Sequence, residues 1–526
     1  MAQQQADHNA EARQSNIGLR PALGLFTTTM IVVGAVIGSG IFRKPGGMAG
    51  DLVGAGLGSP MILLGVWALA GIITLFGALT NAEVAGMIPE TGGQYVYFGR
   101  MYGSFSAYLY GWAVFAVIQT GSIASIAYVF AEYCSKFFNP FHLGAASEAM
   151  TIHLPFIGDI HPLADIGVKG IAAALIILLT FVNYLGVKFG GIIQNIFTVS
   201  KIAAMLTLVG MAFLLPDVGS AANATAGSLI HPPSSDGGML VKALAIAAAL
   251  GGAFWAYDGW NNVTYIAGEV KSPQRNIPRA LIMGMAIIIV VYLLINLAYC
   301  WVLPIDAMAS SKLVAADTAE KFFSGGGKWI AAAVLVSTFG TTNGTILASA
   351  RVYFSMARHN VFPKFLGNAH PRYHTPAASL FVQCAWSVML LFSGTFDTLT
   401  DTLIFVSWLF YAAGAYGLFV LRRKEPGTAR PYKVPGYPLV PAIFVIFAII
   451  YLGLTVYNDI DGYNTAVAAG QPAIINSAFG IFLVLLGIPI YLYYRNRKPR
   501  PPAFAGAVTE IDPIDGKNSG DGGSMA

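Results

Sequence analysis

Twelve apolar runs, each long enough to cross a bilayer, take up most of this 526-residue chain. They fall near 22–46, 61–86, 104–133, 167–185, 192–215, 241–267, 280–302, 329–357, 376–394, 398–421, 438–458 and 474–494. A helix rises about 1.5 Å per residue, so about 20 residues span a hydrocarbon layer about 30 Å thick. Water is absent there, and every backbone N–H and C=O must be satisfied within the chain, which makes each run a helix. The reading is an all-α integral membrane protein of about 12 transmembrane helices, with no room for a separate soluble domain. A hydrophobic content of 56% against 10% charged residues excludes a soluble fold of this size.

Charge sets the expected orientation. With the N-terminus in the cytoplasm, roughly 21 of the 30 Lys and Arg fall on cytoplasmic segments. Residues 1–21 read as a polar cytoplasmic tail without the features of a secretory signal, and 495–526 as a disordered cytoplasmic tail. Both termini are then cytoplasmic, and the net charge of +5 follows from the topology and asks for no nucleic acid. The histidines lie in loops and tails without a recurring ligand spacing, so neither a metal nor a cofactor is expected. Cys134 and Cys300 fall near helix ends on the same face, either as a pair or as buried thiols.

Two runs carry residues that a simple span would avoid. The first contains VGAVIGSGIF, Val33 to Phe42, where Gly38, Ser39 and Gly40 are poor helix formers flanked by Val36 and Ile41. Either they admit a neighbouring helix closely, or the backbone leaves the helical path and exposes polar groups that must face protein or a cavity. The sixth run contains GGAFWAYDGWNN, Gly251 to Asn262, where Asp258 interrupts the apolar sequence and Gly259 follows it. That is a second expected break.

Other polar residues sit at depth. Lys201 lies about 15 Å into the fifth run, where an ammonium costs at least about 2.5–3.5 kcal/mol and needs buried oxygens or a carboxylate. In the eighth run Ser337, Thr341 and Thr345 share one face, and Gln119, Thr120, Ser122 and Ser125 form a patch in the third. Glu83 and Glu132, close to helix ends, read as solvated carboxylates.

The breaks are five spans apart. An odd number of spans per repeat turns the second copy upside down, which is the layout of an inverted-repeat transporter: 22–215 as the first five-helix repeat, 241–421 as the second, 438–494 as two appended helices. Free amides at Ser39, Gly40 and Ile41 suit a carboxylate, and carbonyls at Phe254, Trp255, Ala256 and Tyr257 suit an ammonium. An α-amino acid carries both groups. Trp255 is a candidate lid.

VGAVIGSGIF, TVSK ending at Lys201, FWAYDGWNN with GEVKSPQRNIP, and STFGTTNGTILASARVYFSMAR together resemble the amino acid, polyamine and organocation (APC) superfamily. Within it they are most similar to the L-type amino acid transporter family and its bacterial relatives. The resemblance implies the LeuT-like 5+5 fold and a sodium-independent exchanger of neutral L-amino acids in the plasma (inner) membrane, not an enzyme. It also implies that Lys201 stands where sodium-coupled relatives hold an ion, bracing the turn at Gly38 against Ser337 or Thr341. The backbone of Gly38, Ser39 and Gly40 would take the substrate carboxylate, and Trp255 would gate the site.

Two departures qualify it. Animal members bond to a heavy subunit through a Cys between the third and fourth spans, whereas 135–167 has none, so no covalent partner beyond substrate and lipid bilayer is expected. Asp258 stands where several relatives have Gly, which keeps open a proton-coupled symporter or a carrier of cationic amino acids or polyamines. A membrane sensor that binds amino acids without moving them is the alternative of another class.

Overall fold

The computed structural model describes residues 23–154, 158–185, 190–228, 238–373, 375–470 and 473–495. The expected tails at 1–21 and 496–526 lie outside the described residues. Helices run from end to end of what is described, apart from a short hairpin of β1 (Ile152–Leu154) and β2 (Gly158–Ile160). Among the described residues, eleven helices are long and apolar enough to cross a membrane.

The first span is two helices. α1 (Leu25–Val36) stops where Ile37 turns out of the helical path at ψ 86°, and α2 (Gly40–Gly54) starts three residues later. α3 (Pro60–Met87) is followed by a short helix α4 (Gln94–Tyr102) and by the long α5 (Ser104–Cys134). α5 contains a π turn at Val114–Ile118, and its apolar window is buried almost throughout. α6 (Ile166–Tyr184) and α7 (Gly190–Leu214) complete the first half of the chain.

The second broken span begins with α8 (Met239–Tyr257), which ends at an extended Asp258. Gly259 at φ +98° reverses the chain into a 3-10 helix, Trp260–Glu269. After it come α9 (Pro273–Val302), α10 (Gly326–Arg358), α11 (Ala377–Leu391), α12 (Phe396–Lys424), α13 (Leu439–Ala468) and α14 (Asn476–Arg495). α1 and α2 sit centrally: α1 packs on α7 and α9, and α2 on α8. α13 lies outside, with Ile446, Ile449 and Ile450 exposed, as lipid-facing side chains should be.

Three expectations change. The ninth run forms only the 15-residue α11, about 22 Å long and short of the bilayer core, and it packs against α5 and α6. Pro376 before it and Gly394 after it limit its length. Glu83 is fully buried rather than solvated: Arg422 grips it with two N–H groups at 2.9 and 2.7 Å, Arg430 lies 3.4 Å away, and the Val434 amide donates at 2.8 Å. Glu132 faces Arg43 at 3.1 Å. Cys134, Cys300 and Cys384 are all buried free thiols.

Candidate functional site

The site lies where the two broken spans meet. Gly40 touches the main chain of α8, since a Cβ built there would come 2.5 Å from the Ala256 Cα. No larger residue fits without parting the spans. A single hydroxyl joins them as well: Tyr292 of α9 stands 3.0 Å from both the Val36 and the Ala256 carbonyl oxygens, the exposed ends of α1 and α8. Its one hydrogen is shared between two helix-end carbonyls, at a place where leaving a buried carbonyl unsatisfied costs about 1–3 kcal/mol.

Lys201 reaches in from α7 and is almost completely buried. Its Nζ donates to the Gly34 oxygen at 3.2 Å, to the Ile37 oxygen at 3.0 Å and to the Thr341 Oγ1 of α10. An ammonium has three N–H donors, and three oxygens surround this one. The Thr341 hydroxyl lies 3.2 Å from the same Ile37 oxygen and 3.0 Å from the Ser337 oxygen, so lysine and threonine together hold the unwound turn against α10. Ser337 is buried nearby, but its hydroxyl has no partner.

The second break is held differently. Tyr411 of α12 donates to Asp258 Oδ1 at 2.6 Å. Beyond Gly259, Asn262 accepts a bond from Gln119 of α5 at 2.9 Å, and Asn261 donates to Gln94 of α4 at 3.1 Å.

Between the breaks is a cavity of about 20 Å³, room for the centre of about one water. Of the residues singled out in the sequence, Val36, Gly38, Ser39, Gly40, Ser122, Trp255, Asp258, Gly259, Asn262, Thr341 and Thr345 line it. Ile41, Phe254, Ala256 and Tyr257 do not. Ile41 is buried behind the first turn of α2, Phe254 packs on Trp408, Ala256 backs Gly40, and Tyr257 turns its hydroxyl toward the Trp67 carbonyl. Two of the four carbonyls proposed as a negative pole already have donors: Trp255 takes the Asp258 amide and Ala256 takes Tyr292. Ser39 Oγ and Trp255 Nε1 are buried without partners. Ala35 and Ile126 also line it and carried no signal in the sequence, being ordinary apolar residues of spans. Tyr292 and Tyr411 escaped for the same reason.

Both ends of the cavity are shut. On the α2 side, just beyond its first turn, Arg43 meets Glu132 at 3.1 Å and Asp397 at 3.7 Å, while Lys44 meets Asp397 at 2.9 Å and Asp401 at 3.6 Å. Both cations lie over the Phe396 ring, whose other neighbour is Trp255. At the opposite end the chain before α1 pairs with the chain after the 3-10 helix: the Leu23 amide donates to Glu269 and the Lys271 amide to Leu23, each at 2.9 Å. Glu269 is tied to Arg351 at 2.8 Å, and the Gly92 amide caps the Tyr265 carbonyl at 3.1 Å.

Two broken helices meeting at a small polar cavity inside an all-α membrane protein define a carrier-type site. The chain belongs to the amino acid permease family, whose model matches residues 23–493. It is 28% identical over 487 residues to a serine/threonine exchanger of Bacillus subtilis (strain 168), covering 91% of this chain and 98% of that one. It is 31% identical over 433 residues to the human (Homo sapiens) b(0,+)-type amino acid transporter 1, covering 82% of each. To the mouse (Mus musculus) large neutral amino acids transporter small subunit 2 it is 30% identical over 504 residues, covering 94% of this chain and 86% of that one. It is therefore a multi-pass membrane permease for amino acids, not an enzyme.

Proposed function

We propose that the chain is a sodium-independent secondary transporter that exchanges neutral L-amino acids by alternating access. The observation that carries this reading is the Lys201 amine seated in the unwound turn between α1 and α2 and against Thr341. A fixed cation there does the holding that a bound metal ion would otherwise do. The serine/threonine exchanger among its relatives agrees with exchange.

The substrate carboxylate is taken by the amides opening α2 at Ser39, Gly40 and Ile41, which lack carbonyl partners one turn earlier and carry the positive end of the helix. The amino group faces the end of α8. The side chain lies between Trp255, Ile126 and Thr345, which sets its size. Because the cavity is shut at both ends and too small for a solute, binding requires one of the two closures to part, and release requires the other. The chain is taken to act in the plasma (inner) membrane with both termini cytoplasmic, and without a covalent heavy subunit, its three cysteines all being buried.

Counterflow into proteoliposomes tests this. Uptake of labelled serine or leucine should depend on unlabelled amino acid inside and persist when choline replaces sodium. Uptake into empty vesicles driven by an imposed pH gradient would overturn exchange. Saturable binding without flux would make the protein a sensor.

A second reading rests on Asp258, whose carboxylate stands on the cavity wall beside Trp255 and Gly259. It places either a cationic side chain or a coupled proton at that position. Asp258→Asn distinguishes them: loss of inhibition by arginine or lysine alone favours a cationic substrate, and loss of pH dependence alone favours a proton.

A further inference from the structure

A second cavity, unconnected with the amino acid site, opens on the lipid-facing side between α4, α5, α12 and α13. It measures about 520 Å³, and its walls include Phe98, Leu109, Leu409, Phe410, Val445 and Ile449. That volume is within the range of about 300–1,000 Å³ typical of small-molecule sites. Leu409 and Ile449 are exposed on its rim, so in a bilayer it opens to hydrocarbon, where an acyl chain is the matching occupant.

Its position along the helices supplies the rest. On α12 the wall residues Leu409, Ala413 and Tyr416 fall at intervals of four and three, one stripe of a helix. Continuing the stripe by seven residues reaches Arg423, about 10 Å beyond Tyr416 along the axis and in the last turn of α12. Arg423 is exposed and makes no ion pair or hydrogen bond with any described residue, whereas its neighbours are engaged: Arg422 on Glu83, Lys424 on the Met101 carbonyl. Hence an apolar groove runs from mid-membrane toward one surface, and an uncommitted guanidinium marks the surface end. A basic residue at the headgroup level beside an apolar slot matches an anionic phospholipid.

We propose that this groove is a phospholipid site, taking an anionic lipid from the leaflet on the side where α12 ends, one acyl chain against Phe98 and Leu409 and the phosphate on Arg423. The site binds whether or not the transport reading holds, since its test reads lipid retention and not flux.

The full-length protein, purified in mild detergent, is mixed with phosphatidylglycerol or phosphatidylcholine of identical chains, and bound lipid is counted by native mass spectrometry. Retention of phosphatidylglycerol about fivefold above phosphatidylcholine is expected from one added cationic contact. Arg423→Ala should abolish that preference, whereas Lys364→Ala, which removes an exposed lysine outside the groove, should keep it. Ala412→Trp or Ile449→Trp, whichever gives a monodisperse protein, should displace both lipids by filling the slot. Equal retention of the two lipids by the unaltered protein, a preference that survives Arg423→Ala, or undiminished retention in the tryptophan variant would each overturn the proposal. So would displacement of phosphatidylglycerol by an uncharged sterol.

Discussion

The two interruptions in this molecule do the same geometric job by opposite means. The turn between α1 and α2 is held from outside, by a lysine that crosses from α7 and by a threonine of α10. The turn after α8 is held largely from within: Gly259 takes a conformation that a side chain would strain, and the chain proceeds as a 3-10 helix. At Asp258 itself the outside support is a tyrosine hydroxyl from α12, with Gln119 and Gln94 bonded to the asparagines that follow the turn. Lys201 sits in the fifth span and Tyr411 in the tenth, so each half of the chain props its own first member with its last. The first prop is a cation on carbonyls and the second a neutral hydroxyl on a carboxylate. The difference teaches that the first interruption depends on a long-range contact that can be deleted, while the second is written into local backbone.

Four substitutions sharpen or break that contrast. Lys201→Ala removes every external donor to Gly34 and Ile37 except Thr341. At about 1–3 kcal/mol per unsatisfied group, exchange should fall by about a hundredfold or more with surface expression retained. Near-normal counterflow would dissolve the distinction. Gly259→Ala adds a Cβ about 3.0 Å from the Ala35 carbonyl oxygen at a positive φ. A strain of about 1–3 kcal/mol should lower the rate by about thirtyfold and lower the thermal midpoint. An unchanged midpoint would mean that the second turn is not held by its own backbone. Tyr411→Phe deletes a single hydrogen bond to a carboxylate, worth about 1.5 kcal/mol, so about tenfold in rate is expected, with a changed substrate-inhibition profile if Asp258 meets the side chain. Ser337→Ala should change counterflow less than about twofold, because its hydroxyl is unpartnered while Thr341 does the bracing. A large loss there would put the lysine's support on the wrong residue.

Much of this arrangement was legible in the residues alone, and for a common reason. Gly38, Ser39, Gly40, Asp258 and Lys201 are each a poor choice for a span, so each announces itself against an apolar background. Tyr292 and Tyr411 do not, because an aromatic ring belongs in a membrane helix and only its hydroxyl's destination makes it special. The opposite error befell Glu83 and Glu132. A carboxylate near a helix end is ordinarily hydrated, and nothing local indicates that Arg422 and Arg430 arrive from more than 300 positions away. Helix length posed the remaining difficulty: hydropathy extends the ninth run to 394, but Pro376 and the turn before Gly394 confine α11 to less than a bilayer's thickness.

The two closures of the cavity will also answer differently to the surrounding solution. The one past the first turn of α2 consists of charges, and Asp397 and Asp401 are about half exposed, with side-chain accessibilities of 55% and 45%. Dissolved ions reach them, and at physiological strength the Debye length of about 8 Å already weakens such attractions. The other closure is partly a main-chain bridge through Leu23, which added electrolyte hardly touches. Raising ionic strength on one face of a sealed vesicle should therefore loosen the first door more than the second, where the Arg351–Glu269 pair is less exposed and the main-chain bridge is insensitive to salt, giving the proposed cycle a sensitivity to the salinity of a single compartment.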